Sequence, residues 1–350
     1  MTERNQSLDL LRGAAILMVL LLHCAQATTS IVPGLRWLAL EYGERGVQLF
    51  FIVSGYTMML TYGDRVEFAA ARSFYIRRVF RIVPLFWVAI FFYVLITNGE
   101  GFTFWAPDGI SASDVLLTFF FLNWSSVTAL NSVVPGGWSI AVEMQFYLLF
   151  PLIIYLFRRR NGPAYFYALA AVVGAAAEML AQQYFIPQLA ASLPANQAYL
   201  ARAFFYCWLP RQLICFGFGI LLYQCIEQRK LAAMGVLLVI SACLSFPAWG
   251  GQIVILAAIS FAVLAMNTTM SWMGLLGRHS YAIYLTHVAW LSAISARLSV
   301  DLILMFVLVT AASLAGSYYV IEPLFERRFN RLGHLLASRA VRPKIVAPAA

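Results

Sequence analysis

From Gly13 to Leu22 the chain runs ten residues without a polar side chain, and stretches of this kind recur along almost its whole length. A helix needs about 20 mostly apolar residues to cross a bilayer. That criterion places spans at 8–27, 46–62, 76–97, 138–157, 163–183, 202–226, 231–247, 250–267, 280–298 and 300–321. Backbone groups in lipid must be satisfied within the segment itself, so runs of this length read as helices. The expected fold is all-α: a polytopic transmembrane helix bundle of about ten spans. The apolar run from Asp114 to Trp124 is about half a span long and is expected to be a short re-entrant or buried helix. Charged residues make up 11% of the chain, against about a quarter in soluble domains. That excludes an ordinary soluble enzyme and a nucleic-acid-binding domain. The remaining length leaves room for one membrane domain, 1–330, and a short tail, 331–350, expected to be mobile and to take no part in chemistry.

Charge distribution orients the spans. The chain carries 24 Lys+Arg against 15 Asp+Glu. If the run at 114–124 does not cross and the N-terminus is cytoplasmic, 19 of the 24 cations fall on the cytoplasmic side, leaving only Arg36, Arg45, Arg202, Arg211 and Arg297 elsewhere. A full crossing at 114–124 would send Arg158, Arg159 and Arg160 outside. The positive-inside bias therefore favours the non-crossing arrangement, with both termini cytoplasmic. Ala25-Gln26-Ala27 ends the first run like a signal-peptidase site. Glu3 and Asp9 deprive the preceding segment of the positive charge such a signal carries, so the span is expected to be retained. The five cysteines form no Cys-x-x-Cys pair and all lie in apolar stretches, which makes them buried small residues rather than a disulfide framework.

Ionisable groups inside a membrane are expensive, and each is a functional candidate. Here they are His23, Arg78, Arg81, Glu143, Arg211 and His287, with Glu178 and Glu322 nearer helix ends. His23 lies eleven residues beyond Arg12, about 16 Å along a helix axis. Imidazole is the side chain suited to proton exchange near neutrality, so His23 reads either as a general base or as a structural residue bonded to a neighbouring helix. Arg77, Arg78 and Arg81 open the third span on neighbouring helix faces. They read either as a phosphate-binding cluster for a nucleotide cofactor or as snorkelling anchors. Glu143, five residues into a span, is placed to orient His23 or to pair with Arg211. His287 falls near mid-membrane, where packing is the simplest role; His279 and His334 are expected to be solvated. There is no metal-ligand spacing, Walker or G-x-G-x-x-G loop, or G-x-S-x-G elbow.

Several segments, in order, resemble the membrane acyltransferase 3 family. They are Asn5 to Gly13 with Arg12 and then His23, Phe50 to Tyr56, the Arg78-x-x-Arg81 pair followed by Pro84, Trp138 to Glu143 leading to Phe146-Tyr147, Ser280 to His287, and Glu322-Pro323. The resemblance covers about residues 5–330. It implies an integral membrane O-acyltransferase of the bacterial cytoplasmic membrane, moving an acyl group, most often acetyl, from cytoplasmic acyl-CoA to a hydroxyl of an extracytoplasmic or lipid-linked carbohydrate. It further implies that His23 is the essential histidine, supported by Glu143. Arg12, Arg77, Arg78 and Arg81 are then expected to bind the donor, and Trp138, Ser139, Arg211, Tyr284 and His287 the acceptor, with no metal. Relatives often carry a polar or acidic residue two positions before Glu143, where this chain has Ala141. Some relatives also carry a fused extracytoplasmic hydrolase-like domain, so this chain is expected to act alone or with a separate partner. A transporter or flippase of a glycan or lipid-linked intermediate explains the spans and mid-membrane charges equally well, but not arginines suited to coenzyme A beside a lone membrane histidine.

Overall fold

The computed structural model describes residues 5–63, 65, 67–102, 104–158, 161–229 and 248–341. Among these every regular element is helical. In chain order they are α1 (Gln6–Ala27), α2 (Pro33–Tyr42), α3 (Arg45–Tyr62), α4 (Phe68–Ile96), α5 (Ala112–Phe119), α6 (Gly137–Leu156), α7 (Gly162–Leu180), α8 (Ile186–Ser192), α9 (Leu200–Tyr206), α10 (Leu209–Ile226), α11 (Ala248–Ala265), α12 (Ser271–Arg278), α13 (Ser280–Ser295), α14 (Leu302–Gly316) and α15 (Arg327–Val341). Six helical segments are long and apolar enough to cross a bilayer: Gln6–Ala27, Phe68–Ile96, Gly137–Leu156, Gly162–Ser192, Leu200–Ile226 and Leu302–Ala340. Phe91, Leu95, Leu148 and Val172 are exposed on them, an apolar exterior that suits lipid and not water. The chain is a multi-pass membrane protein.

The expected spans at 46–62, 250–267 and 280–298 are also helices, α3, α11 and α13, but fall short of that criterion. In α3 the reason is chemical: Arg45 and Gln48 near its start, more than Ser54, Thr57 and Thr61, which line the internal cavities described below, lower its mean hydropathy. The expected span at 231–247 lies outside the described residues. The short run near 114–124 folds as α5, whose eight residues span about 12 Å. A Ser111–Asp114 capping box fixes its start. Asp114 and Thr118 are buried, while Leu116 and Phe120 are exposed, so α5 is amphipathic rather than wholly buried.

α1 is the central helix, touching α2, α3, α11, α12, α13 and α14. Asn5 caps it by accepting the Leu8 amide at 3.1 Å. A Cβ at Gly13 would sit 2.1 Å from the Met273 carbonyl oxygen, and one at Gly277 1.8 Å from that of Asp9. These glycines therefore let α1 and α12 meet backbone to backbone, as small residues do between membrane helices. The contact sets Asp9 and Arg12 beside the α12–α13 junction.

Two helices outrun their expected spans. α4 begins at Phe68 rather than near 76. Arginine is a good helix former, so Arg72, Arg77, Arg78 and Arg81 mark a lipid boundary without ending the helix. At the other end of the chain, α14 continues through wider π-type turns over Ser317–Glu326, which hold Pro323, into α15. The first part of the segment expected to be a tail, 331–341, continues as helix within α15, which packs on α4.

Candidate active site

Two cavities open into one another inside the bundle. The inner one has Arg12, Arg78, Arg81 and Glu143 as its charged walls. The outer vestibule has cations (Arg278, Arg327) and acids (Asp9, Glu322, Glu326) interleaved in its walls, with His334 among them and Arg327 paired to Glu322. Arg12, Thr57, Arg81, Ser280 and Tyr281 line both. Asn5 and His334 both line the vestibule, so the two ends of the described chain meet on one face of the protein.

Each arginine is held differently. Arg12 donates to Asp9 Oδ1 at 3.2 Å and to Thr57 Oγ1 at 2.8 Å. The Thr57 hydroxyl spends its own proton on the Val53 carbonyl at 2.7 Å, which leaves its oxygen free to accept from Arg12. Arg78 is 8% exposed. Its guanidinium centre lies 4.9 Å from the Tyr147 ring and 5.5 Å from the Phe74 ring, a cation–π setting that steadies a buried charge. Arg81, one turn further along α4, faces both cavities. Arg77 lines neither and donates to Ser73 Oγ at 2.5 Å.

Glu143 is held by α3 and by its own helix. Its Oε1 accepts from Ser54 Oγ at 2.6 Å and from the Tyr147 hydroxyl. It pairs with neither candidate partner expected for it. Arg211 instead binds Glu178 at 2.8 Å and lies 4.7 Å over the Tyr206 ring. The physical reason is helical phase: Tyr147 is four residues from Glu143 on the same face, and α3 presents Ser54 to that face.

Beyond Glu143 the inner cavity ends on a polar knot. Gly136, at φ +82°, turns the chain into α6, a conformation suited to glycine. Its carbonyl accepts from Ser139 Oγ at 2.9 Å and from Tyr284 Oη at 3.1 Å. Behind Tyr284 stands His287, its ring 5.7 Å from Tyr284 and 5.1 Å from His23. His287 is 1% exposed. His23 is half-buried in the last turn of α1, with Nδ1 3.0 Å from Gln26 Oε1. Neither histidine lines either cavity. Trp138 also lies off the inner cavity, packed against the Phe51 and Tyr206 rings.

The fold thus gathers Arg12, Arg78, Arg81, Ser139, Glu143 and Tyr284 around one cavity, sets His287 and His23 behind its far wall, and leaves Arg77, Trp138 and Arg211 aside. His279, expected to be solvated, is a correction. It is 4% exposed, with Nδ1 3.0 Å from Ser317 Oγ and Nε2 3.5 Å from Glu322 Oε2. Its segment is a tight helix junction and not the open loop its charges suggest. Sequence reasoning passed over Ser54, Thr57 and Tyr147. Their signal was present: polar residues three apart in an apolar helix, and a tyrosine four residues after a membrane glutamate. Cys24, Cys207, Cys215 and Cys225 are buried free thiols, and Cys243 lies outside the described residues.

A family profile for an acyltransferase domain matches residues 5–322. Among characterised proteins, the chain is 28% identical over 166 residues to the peptidoglycan O-acetyltransferase OatA of Listeria monocytogenes, covering 43% of this chain and 24% of that protein. It is 29% identical over 170 residues to the O-acetyltransferase OatA of Staphylococcus aureus, covering 45% of this chain and 26% of that protein. The matched stretch is thus about a quarter of each relative's length. No solved structure matches. With a profile match over nearly its whole length, the chain belongs to the acyltransferase 3 family.

Proposed function

We propose that this protein is an O-acetyltransferase of a bacterial cytoplasmic membrane, taking its acyl group from cytoplasmic acyl-CoA and passing it to a carbohydrate hydroxyl on the opposite side. One observation supports the reading: Arg12, Arg78 and Arg81 line two adjoining cavities, the inner of which ends on Tyr284, with the His287 and His23 rings behind it. Coenzyme A is a polyanion that cannot cross lipid, and guanidinium groups are its natural phosphate partners. The vestibule takes the nucleotide end, with Arg81 and Arg12 at the neck. The narrower inner cavity takes the pantetheine arm and brings the thioester toward Tyr284.

The acceptor approaches from the His23 side, and the two ligands meet when the Tyr284 ring turns aside. His23 takes the proton of the acceptor hydroxyl. The oxygen attacks the thioester carbonyl, the carbon–sulfur bond breaks, coenzyme A leaves through the vestibule as the thiolate, and the proton held on His23 is released to solvent or to that thiolate, which restores the base. Glu143 keeps Ser54 and Tyr147 in place at the side of the passage, with Tyr147 in turn stacked on Arg78. The name of the Listeria relative suggests peptidoglycan as the first acceptor to try.

Purified full-length protein in lipid vesicles, supplied with labelled acetyl-CoA and soluble peptidoglycan fragments, tests this. Acceptor-dependent release of coenzyme A with formation of an O-acetyl ester is expected. His23→Ala should lose about 10²- to 10⁴-fold in rate, as removal of a general base does, while still binding coenzyme A. Undiminished transfer by that variant would refute the base assignment. Failure to use acetyl-CoA with any glycan would refute the donor.

A further inference from the structure

His23 and His287 form a pair of imidazoles whose partners are all uncharged. His287 Nδ1 is 2.7 Å from the Tyr284 carbonyl oxygen. A carbonyl only accepts, so Nδ1 carries the hydrogen and Nε2 carries a lone pair. That Nε2 is buried and has no hydrogen-bond partner, a costly arrangement in an interior where polar groups are nearly always satisfied. On His23 the same logic holds: Nδ1 faces Gln26 Oε1, which leaves a lone pair on Nε2. Two neutral rings arranged in this way cannot bond to each other. One added proton changes that. The ring centres stand 5.1 Å apart at a tilt of 38°, close enough for one N–H···N bond once a ring turns to bring the two Nε2 atoms together.

We propose that His287 is a positioning residue for the proposed base: when His23 takes the acceptor's proton, its imidazolium donates to His287 Nε2. The inference rests on the reading of His23 as the base. Its physical need is plain. An imidazolium formed in this low-dielectric setting requires an acceptor. The carboxylate nearest in sequence logic, Glu143, is bound to Ser54 and Tyr147. His287, fixed by its own backbone through Tyr284, offers the acceptor without a second charge, as the orienting partner of a catalytic histidine commonly does with a carboxylate.

Two measurements test it. The first is nitrogen-15 NMR of the full chain labelled at histidine, where only four histidines contribute. His287 should show one neutral tautomer with hydrogen on Nδ1; hydrogen on Nε2 overturns the proposal. The second is the transfer assay on His287→Gln and His287→Leu. Glutamine keeps an oxygen able to accept from an imidazolium and should stay within tenfold of the parent kcat, whereas leucine should lose about 10- to 100-fold in kcat, the weight of one hydrogen bond to a charged group. KM for both substrates should stay within threefold. A packing role predicts the reverse order, since leucine suits an apolar site better than an amide. An acceptor-binding role predicts a change in KM instead. Either result overturns the proposal. Should the parent protein itself transfer nothing, the functional reading fails, while the tautomer still decides the geometry of the pair.

Discussion

At the vestibule end of the passage, charge meets charge. Arg12 is fastened to Asp9 and Thr57, Arg327 to Glu322 at 3.0 Å, and the walls mix three acids with several cations. At the far end, His23 and His287 are held by an amide oxygen and a backbone carbonyl. Under the proposed function, the difference follows from what each end would handle. A polyanion that arrives and departs is best received by fixed cations, which remain charged throughout. A proton that appears only during reaction is best received by neutral lone pairs, which cost little to bury until they are used. The vestibule end also rests on a structural device, the backbone-to-backbone contact of α1 with α12 at Gly13 and Gly277.

That structural support of the vestibule end gives the largest expected effect. Gly277→Val would drive a side chain into the Asp9 carbonyl, 1.8 Å from the ideal Cβ. The clash is with backbone and cannot be relieved by a rotamer change. Loss of about 3 kcal/mol or more is expected, read as a lower thermal midpoint and reduced yield of folded protein in detergent. Unchanged stability would mean that α1 and α12 are not locked together, and that the vestibule is not a rigid receptor.

The cationic half is sharpened by Arg81. Arg81→Ala should weaken coenzyme A binding by about 10- to 100-fold in a calorimetric titration, the weight of one charge-assisted bond. Arg81→Lys should recover part of the loss, since lysine keeps the charge but not the planar fork. Equal binding by parent and Arg81→Ala would remove Arg81 from the donor site and move the charged end of the passage into the vestibule proper.

Much of this arrangement is legible in the chain. Apolar run length identifies membrane helices because lipid thickness imposes it, and isolated charges in those runs identify Arg78, Arg81, Glu143 and His23 because lipid makes them expensive. What run length cannot supply is the phase between helices. Glu143 is one residue type at one depth whether it faces His23, Arg211 or Ser54, and only packing selects Ser54 and Tyr147. Nor does hydropathy see helices that continue past the bilayer: α4 starts among arginines, and α15 carries Asn330 and His334 into the vestibule from a segment with the composition of a tail. The family resemblance shared this limit, since it gave residues in order along the chain without saying which of them would face one cavity.

Arg77 is where the two sources of inference part most clearly, and it carries the smallest expected effect. By sequence it belongs with Arg78 and Arg81, adjacent in the chain and of the same charge. In the fold the helical twist carries it off the passage, and its guanidinium rests on Ser73 of its own helix. Arg77→Ala should therefore change coenzyme A affinity by less than about threefold, within the range of surface charges at a distance, under conditions where Arg81→Ala shows its full loss. If the two substitutions weaken binding equally, the donor's phosphates extend around α4 toward Ser73, and the boundary drawn between the passage and its surroundings lies one helix face too far inward.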